Sequence, residues 1–164
     1  MTTPKFHILT QPQILDGKHK LNSSVSTLYN GMLLKLNSNG ELVLPTAETD
    51  EIAGVAYEPA QVGAFSWPQD ENIATTYAGK YLTIAKGRFE ALLSKSFFVG
   101  GSVPATIGTR LYNATGGYYK TSGTTPAIGT IVGFSRLHNS DDPELAESYE
   151  VLARVDMHIR WDAQ

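Results

Sequence analysis

Cysteine is absent from this chain of 164 residues, which removes disulfides, thiolate metal sites and thiol nucleophiles together. Stability therefore has to come from packing and association. Charge is sparse too: 18% of residues are charged and the formal net charge is −3, without the basic stripe that nucleic-acid binding needs. No direct DNA or RNA partner is expected. No stretch approaches the roughly 18 consecutive apolar residues of a membrane span, and Met1 to Lys5 leads into no apolar signal core. The reading is of a protein made in a cytoplasm with no membrane partner.

Recognisable chemistry is equally scarce. The four histidines, His7, His19, His138 and His158, have no metal-ligand spacing between them. The acidic runs Glu48, Asp50, Glu51 and Asp141, Asp142, Glu144, Glu147 lack the alternating ligands and central glycine of a calcium loop, and read as solubilising loops. Gly100-Gly101 and Gly116-Gly117 are turns, since no Lys-Ser/Thr and no helix start follows them. Ser94, Ser96 and Ser102 sit in no nucleophile elbow. No metal, no cofactor and no enzymatic activity are expected.

What the chain does contain is a repeat. Gly31-Met32-Leu33-Leu34, a turn at Asn39-Gly40 and then Ile52-Ala53-Gly54-Val55-Ala56 are answered by Gly108-Thr109-Arg110-Leu111, a turn at Gly116-Gly117 and Ile131-Val132-Gly133-Phe134-Ser135. The opening glycines and turns align at an offset of 77 residues, and the apolar-Gly-apolar strands at 79. Asn-Gly accepts the positive φ of a tight hairpin turn, so Leu33 to Leu44 reads as a hairpin. Two β modules, about 31–57 and 108–135, are expected inside one β domain of residues 28–164.

Residues 1–27 show no sustained period of 2 or 3.6 and read as an extended N-terminal arm. Residues 60–75 read as an excursion and 139–147 as an acidic loop. Tyr77 to Ala85 alternates as a strand, and Gly87 interrupts it before Arg88 to Leu93, so a bulged strand is favoured over a helix there. From Tyr149 to Trp161 every odd position but none of the even ones except Leu152 is apolar, which predicts a long strand with one face on a core. The expected fold is all-β, a small β-barrel or compact β-sandwich with an extended N-terminal arm and loop insertions.

This order of glycines, turns and apolar-Gly-apolar strands, from Gly31 through Leu82–Arg88 to Phe134, resembles the capsid decoration (cement) proteins of tailed bacteriophages, over about residues 28–137. The resemblance implies a virion protein on the outer surface of an expanded head. There it would bind the major capsid protein, commonly as a homotrimer, and stabilise contacts between capsid subunits. The arm, the 60–75 excursion and the 139–147 loop depart from the short members of that family. Phe6, Ile8, Ile14 and Leu15 on the arm are the candidate contacts with the shell or a neighbouring copy, and deleting residues 1–20 is expected to abolish that contact while sparing the fold. The competing reading is a receptor- or glycan-binding β domain of a tail or head fibre, in which Trp67, Tyr77, Tyr118 and Tyr119 would meet a sugar.

Overall fold

The computed structural model describes residues 6–8, 10–58, 72–99, 106–123, 126–135 and 152–159. The acidic loop at 139–147 and most of the 60–75 excursion lie outside these residues. Ten strands and one short helix, α1 (Ala74–Tyr77), make up the regular structure of the described residues. The protein is all-β, built from two antiparallel sheets that are open rather than closed. A closed barrel is therefore not the form adopted.

The organising element is β6 (Tyr81–Ser94). Its β-branched and aromatic content, with Leu82 and Ile84 fully buried, suits a strand. Gly87 divides it, with φ at +74°, where a side chain would collide with Gln13. The half before Gly87 pairs with β2 (Ile14–Lys20) on one edge and β5 (Gly54–Ala56) on the other. The half beyond pairs with β1 (Phe6–Ile8) and β10 (Leu152–Ile159). One strand thus serves both sheets.

Two extended strands, at 6–8 and 14–20, lie in this segment, yet they do not stand off as an arm. They run along one whole edge of β6, Phe6 opposite Leu93 and Ile14 opposite Lys86, stitched between by Thr10, whose N–H donates to the Glu90 carbonyl at 3.3 Å. Phe6 is buried, its ring edge-on to Tyr57 and Phe89 at 6.4 and 6.5 Å. Removing residues 1–20 would therefore strip two strands and a core aromatic, and the expectation that the fold survives that deletion is corrected.

The repeat is visible in backbone pairing. In the first module β3 (Leu33–Leu36) pairs with β4 (Leu42–Val43), Lys35 facing Val43; in the second β7 (Arg110–Asn113) pairs with β8 (Tyr119–Lys120), Tyr112 facing Lys120. Both pairs stand at the 77 offset, and Gly31 and Gly108 open the modules with φ of +95° and +92°. The isolated bridge between Leu21 and Leu42 has its counterpart between Phe98 and Tyr119 at the same offset. The closing strands require a correction: β9 (Gly129–Ser135) puts Gly129, not Gly133, in the place of Gly54, because Leu34 faces Gly54 and Leu111 faces Gly129. The offset is 75 there, and the Ala53 and Ile128 N–H groups donate to the carbonyls of Leu34 and Leu111, both at 2.8 Å.

The turn of the second module is seated on the first. The Gly116 N–H donates to the Pro45 carbonyl at 2.7 Å and the Leu33 N–H to the Gly117 carbonyl at 3.1 Å. The Asn113 amide reaches the Ala47 carbonyl at 3.0 Å, and Lys120 pairs with Glu48. A single core includes Leu33, Leu34 and Val55 of one module and Leu111, Tyr119 and Ile131 of the other. Each such fully buried side chain contributes about 1.5–3 kcal/mol, so the modules stabilise one another.

Candidate functional site

Beyond the Leu21–Leu42 bridge, β2 and the β3–β4 hairpin part company. The gap is a cleft of about 460 Å³, within the size range of ligand sites. One wall is β2 with Asp16, Lys18 and His19; the other is Asn37 to Gly40 of the hairpin with Glu51 and Ile52, and Lys86 of β6 also lines the space.

Asp16 is the centre of this cleft and is 5% exposed. The Lys86 ammonium lies 2.7 Å from Oδ2, and the Lys18 backbone N–H donates to Oδ1 at 2.9 Å. Burial, the largest influence, pushes the carboxyl upward. The hydrogen bonds from Lys86 and Lys18 and the charges of Lys86 and His19 together outweigh it and hold Asp16 below its ordinary value.

His19 ties the two walls together. Its Nδ1 is 3.1 Å from the Gly40 carbonyl oxygen, which can only accept, so Nδ1 carries a proton. Nε2 then faces Asp16 Oδ2 at 3.9 Å. In a regular strand residues three apart point to opposite faces. A bulge between Asp16 and His19, where three steps on β2 match two on β6 from Ile84 to Leu82, turns both side chains the same way. Below them the Asn22 amide donates to Glu41 at 3.1 Å and the Asn22 N–H to the Leu42 carbonyl at 3.0 Å.

Chemically, the cleft is a held charge cluster. The Asp16 oxygens hold Lys86 and the Lys18 N–H, and one His19 nitrogen joins the two walls, an arrangement that suits recognition of polar or charged groups. Among the described residues no group of three or more His, Asp or Glu is placed to hold a metal ion.

The sequence-based contact candidates separate into two kinds. Phe6 belongs to the core, while Ile14 and Leu15 lie on β2, 41% and 46% exposed, and neither lines the cleft. Ile8 is opposite Ala91 in β1. Of the aromatic residues considered for sugar binding, Tyr119 is fully buried, Tyr77 and Tyr118 are half-buried, with the Tyr77 hydroxyl 3.3 Å from Glu58, and Trp67 lies outside the described residues. Among the described residues, Tyr77, Tyr118 and Tyr119 form no exposed aromatic platform.

Sequence reasoning passed over Asp16 and Lys86 and treated His19 as solitary. Seventy residues separate Asp16 from Lys86, and only the pairing of β2 with β6 joins them. The one local signal was the Asp16-to-His19 spacing, which acquires meaning only through the bulge. No family model, no curated protein and no solved structure matches the chain.

Proposed function

We propose that this chain is a structural decoration, or cement, protein of a tailed-bacteriophage capsid. In this reading it sits on the outer surface of an expanded head, assembles as a homotrimer and binds major capsid protein subunits across their junctions. The observation that supports the reading best is the doubled β module, whose halves are linked through β6 and β10 and pinned together by the Tyr119 hydroxyl on the Gly31 carbonyl. A load-bearing clamp needs such a body, because force applied at one module must reach the other without unfolding either.

The contact residues in this reading narrow from Phe6, Ile8, Ile14 and Leu15 to the exposed Ile14 and Leu15. Repeated contacts on a symmetric lattice raise effective concentration, so a modest apolar contact can hold many copies. The test is co-sedimentation of the purified full chain with expanded empty heads of its parent phage. Saturable pelleting with the heads, weakened by Ile14→Ser together with Leu15→Ser, is expected. A protein that stays in the supernatant at every head concentration overturns the reading.

A further inference from the structure

The duplication supplies a template for an edge that, among the described residues, pairs with no strand in the first module. Ala91, Leu92 and Leu93 on the distal half of β6 stand at offset 77 from Ile14, Leu15 and Asp16 on β2. Both segments pair antiparallel with a following strand on one side, Ala91 with Val155 and Ile14 with Lys86. On the other side, Ala91 to Leu93 receive β1, with Ile8, His7 and Phe6 in register. Among the described residues no strand pairs with that other side of Ile14 to Asp16.

We propose that this edge of β2 seats an extended acidic segment of a partner protein, added antiparallel to Ile14–Asp16 as β1 is added to Ala91–Leu93. Exposure differs at two of the three positions: Ala91 and Leu92, beside β1, are 0% and 4% exposed, whereas their counterparts Ile14 and Leu15 are 41% and 46% exposed, and Asp16, held by Lys86, is buried like Leu93. An added strand would flank Ile14 and Leu15, with main-chain hydrogen bonds providing affinity and side chains providing selectivity.

The seat is short. After Asp16 the bulge and the lysines Lys18 and Lys20 protect the edge in the way that sheet edges commonly are. The regular part left is Ile14–Asp16, the same three-residue register that β1 uses.

Charge selects the occupant. Where the second module sets Leu93 beside Phe6, the first has Asp16 already paired with Lys86. Lys18 and Lys20 are exposed beside the seat, Lys20 over the Tyr81 ring at 5.2 Å, and His19 lies between them. Glu51 and Glu41 are the carboxylates across from β2, Glu41 already engaged by the Asn22 amide. An acidic segment laid along β2 meets Lys18 and Lys20 on the strand it joins, while a basic one is repelled by them. This inference stands on the duplication and does not depend on the capsid reading.

The experiment uses the full chain, isotope-labelled, with three synthetic probes: a short peptide alternating glutamate and valine, the same peptide with lysine for glutamate, and the glutamate peptide N-methylated along its backbone. Amide exchange at residues 14–16 is expected to slow by about tenfold or more at saturating glutamate peptide, the mark of a newly ordered strand. Binding should weaken about tenfold with the lysine peptide, and Lys18→Glu should reverse that preference. The N-methylated peptide should not bind. Protection elsewhere, equal binding of the N-methylated peptide, indifference to charge, or no binding by the glutamate peptide would each overturn the proposal. Head co-sedimentation and peptide binding are independent, so either can fail while the other holds.

Discussion

The Tyr119 hydroxyl donates to the Gly31 carbonyl oxygen at 2.7 Å, joining the second hairpin to the first residue of the other module. Tyr119 is fully buried, with the Phe97 ring edge-on at 5.8 Å, and its burial pushes the phenol well above the ordinary value of 10.0. The hydroxyl therefore remains a donor throughout the working pH range. Tyr119→Phe keeps the ring and leaves the Gly31 carbonyl without this donor, an expected loss of about 1–3 kcal/mol. Urea unfolding of the two proteins measures it, and an unchanged midpoint would show that the bond does not hold the modules together.

Phe6 and its neighbours on β2 should respond differently to truncation. Phe6→Ala removes a buried ring from between Tyr57 and Phe89 and should cost about 3–5 kcal/mol. Ile14→Ala and Leu15→Ala alter exposed side chains and should stay within about 0.5 kcal/mol. Thermal or urea unfolding separates these cases. A large loss at Leu15 with none at Phe6 would contradict the placement of the N-terminal strands.

Asp16 ties stability to pH from the acid side. Its carboxyl titrates below 3.8 in the folded protein because Lys86 and Lys18 outweigh the effect of burial. In the unfolded chain it returns to the ordinary value, so on acidification the unfolded state takes up the proton first. The contribution is whole above 3.8 and is lost as pH falls through the folded value. Asp16→Asn should flatten this part of a stability profile taken between about pH 6 and pH 2. Lys86→Met, which leaves the carboxylate buried without its ammonium, should cost about 1–3 kcal/mol at neutral pH.

The repeat was legible in the sequence because positive-φ glycines and tight turns leave specific residues behind, as Gly31 and Gly108 do. The closing strand was misaligned because apolar-Gly-apolar is a degenerate pattern. Val132 makes Gly133 resemble Gly54, yet Val132 is 38% exposed and hydrogen bonding selects Gly129. The N-terminal strands escaped notice for another reason. They lie on a sheet edge, and the bulge after Asp16 breaks the period-2 pattern that would reveal a strand. Contacts made between distant strands, Asp16 with Lys86 above all, leave no local trace.

The divergence between the modules also has a physical cause. Met32 and Leu33, buried beneath the second module's turn, correspond at offset 77 to Thr109 and Arg110, half-buried and exposed. Pro45, buried under the same turn, corresponds to the exposed Ser122. Only the seat that another module covers needs apolar side chains. This is why the backbone pairing of the two modules matches more closely than their side chains.

Gly87 tests the link between the bend in β6 and the strands laid along it. At φ of +74° an L side chain costs about 1–2 kcal/mol from backbone sterics alone. An added Cβ would also overlap Gln13, whose Oε1 accepts from the Arg88 N–H at 3.2 Å between β1 and β2. Gln13 can swing away, so Gly87→Ala should incur the backbone penalty and lose this hydrogen bond, a destabilisation of about 2–3 kcal/mol in all. Gln13→Ala made in addition relieves the overlap, so the double variant should be less destabilised than the sum of the single changes. A double-mutant cycle by urea unfolding reads this directly; strict additivity would mean that Gly87 serves the bend of β6 and not the docking of the N-terminal strands.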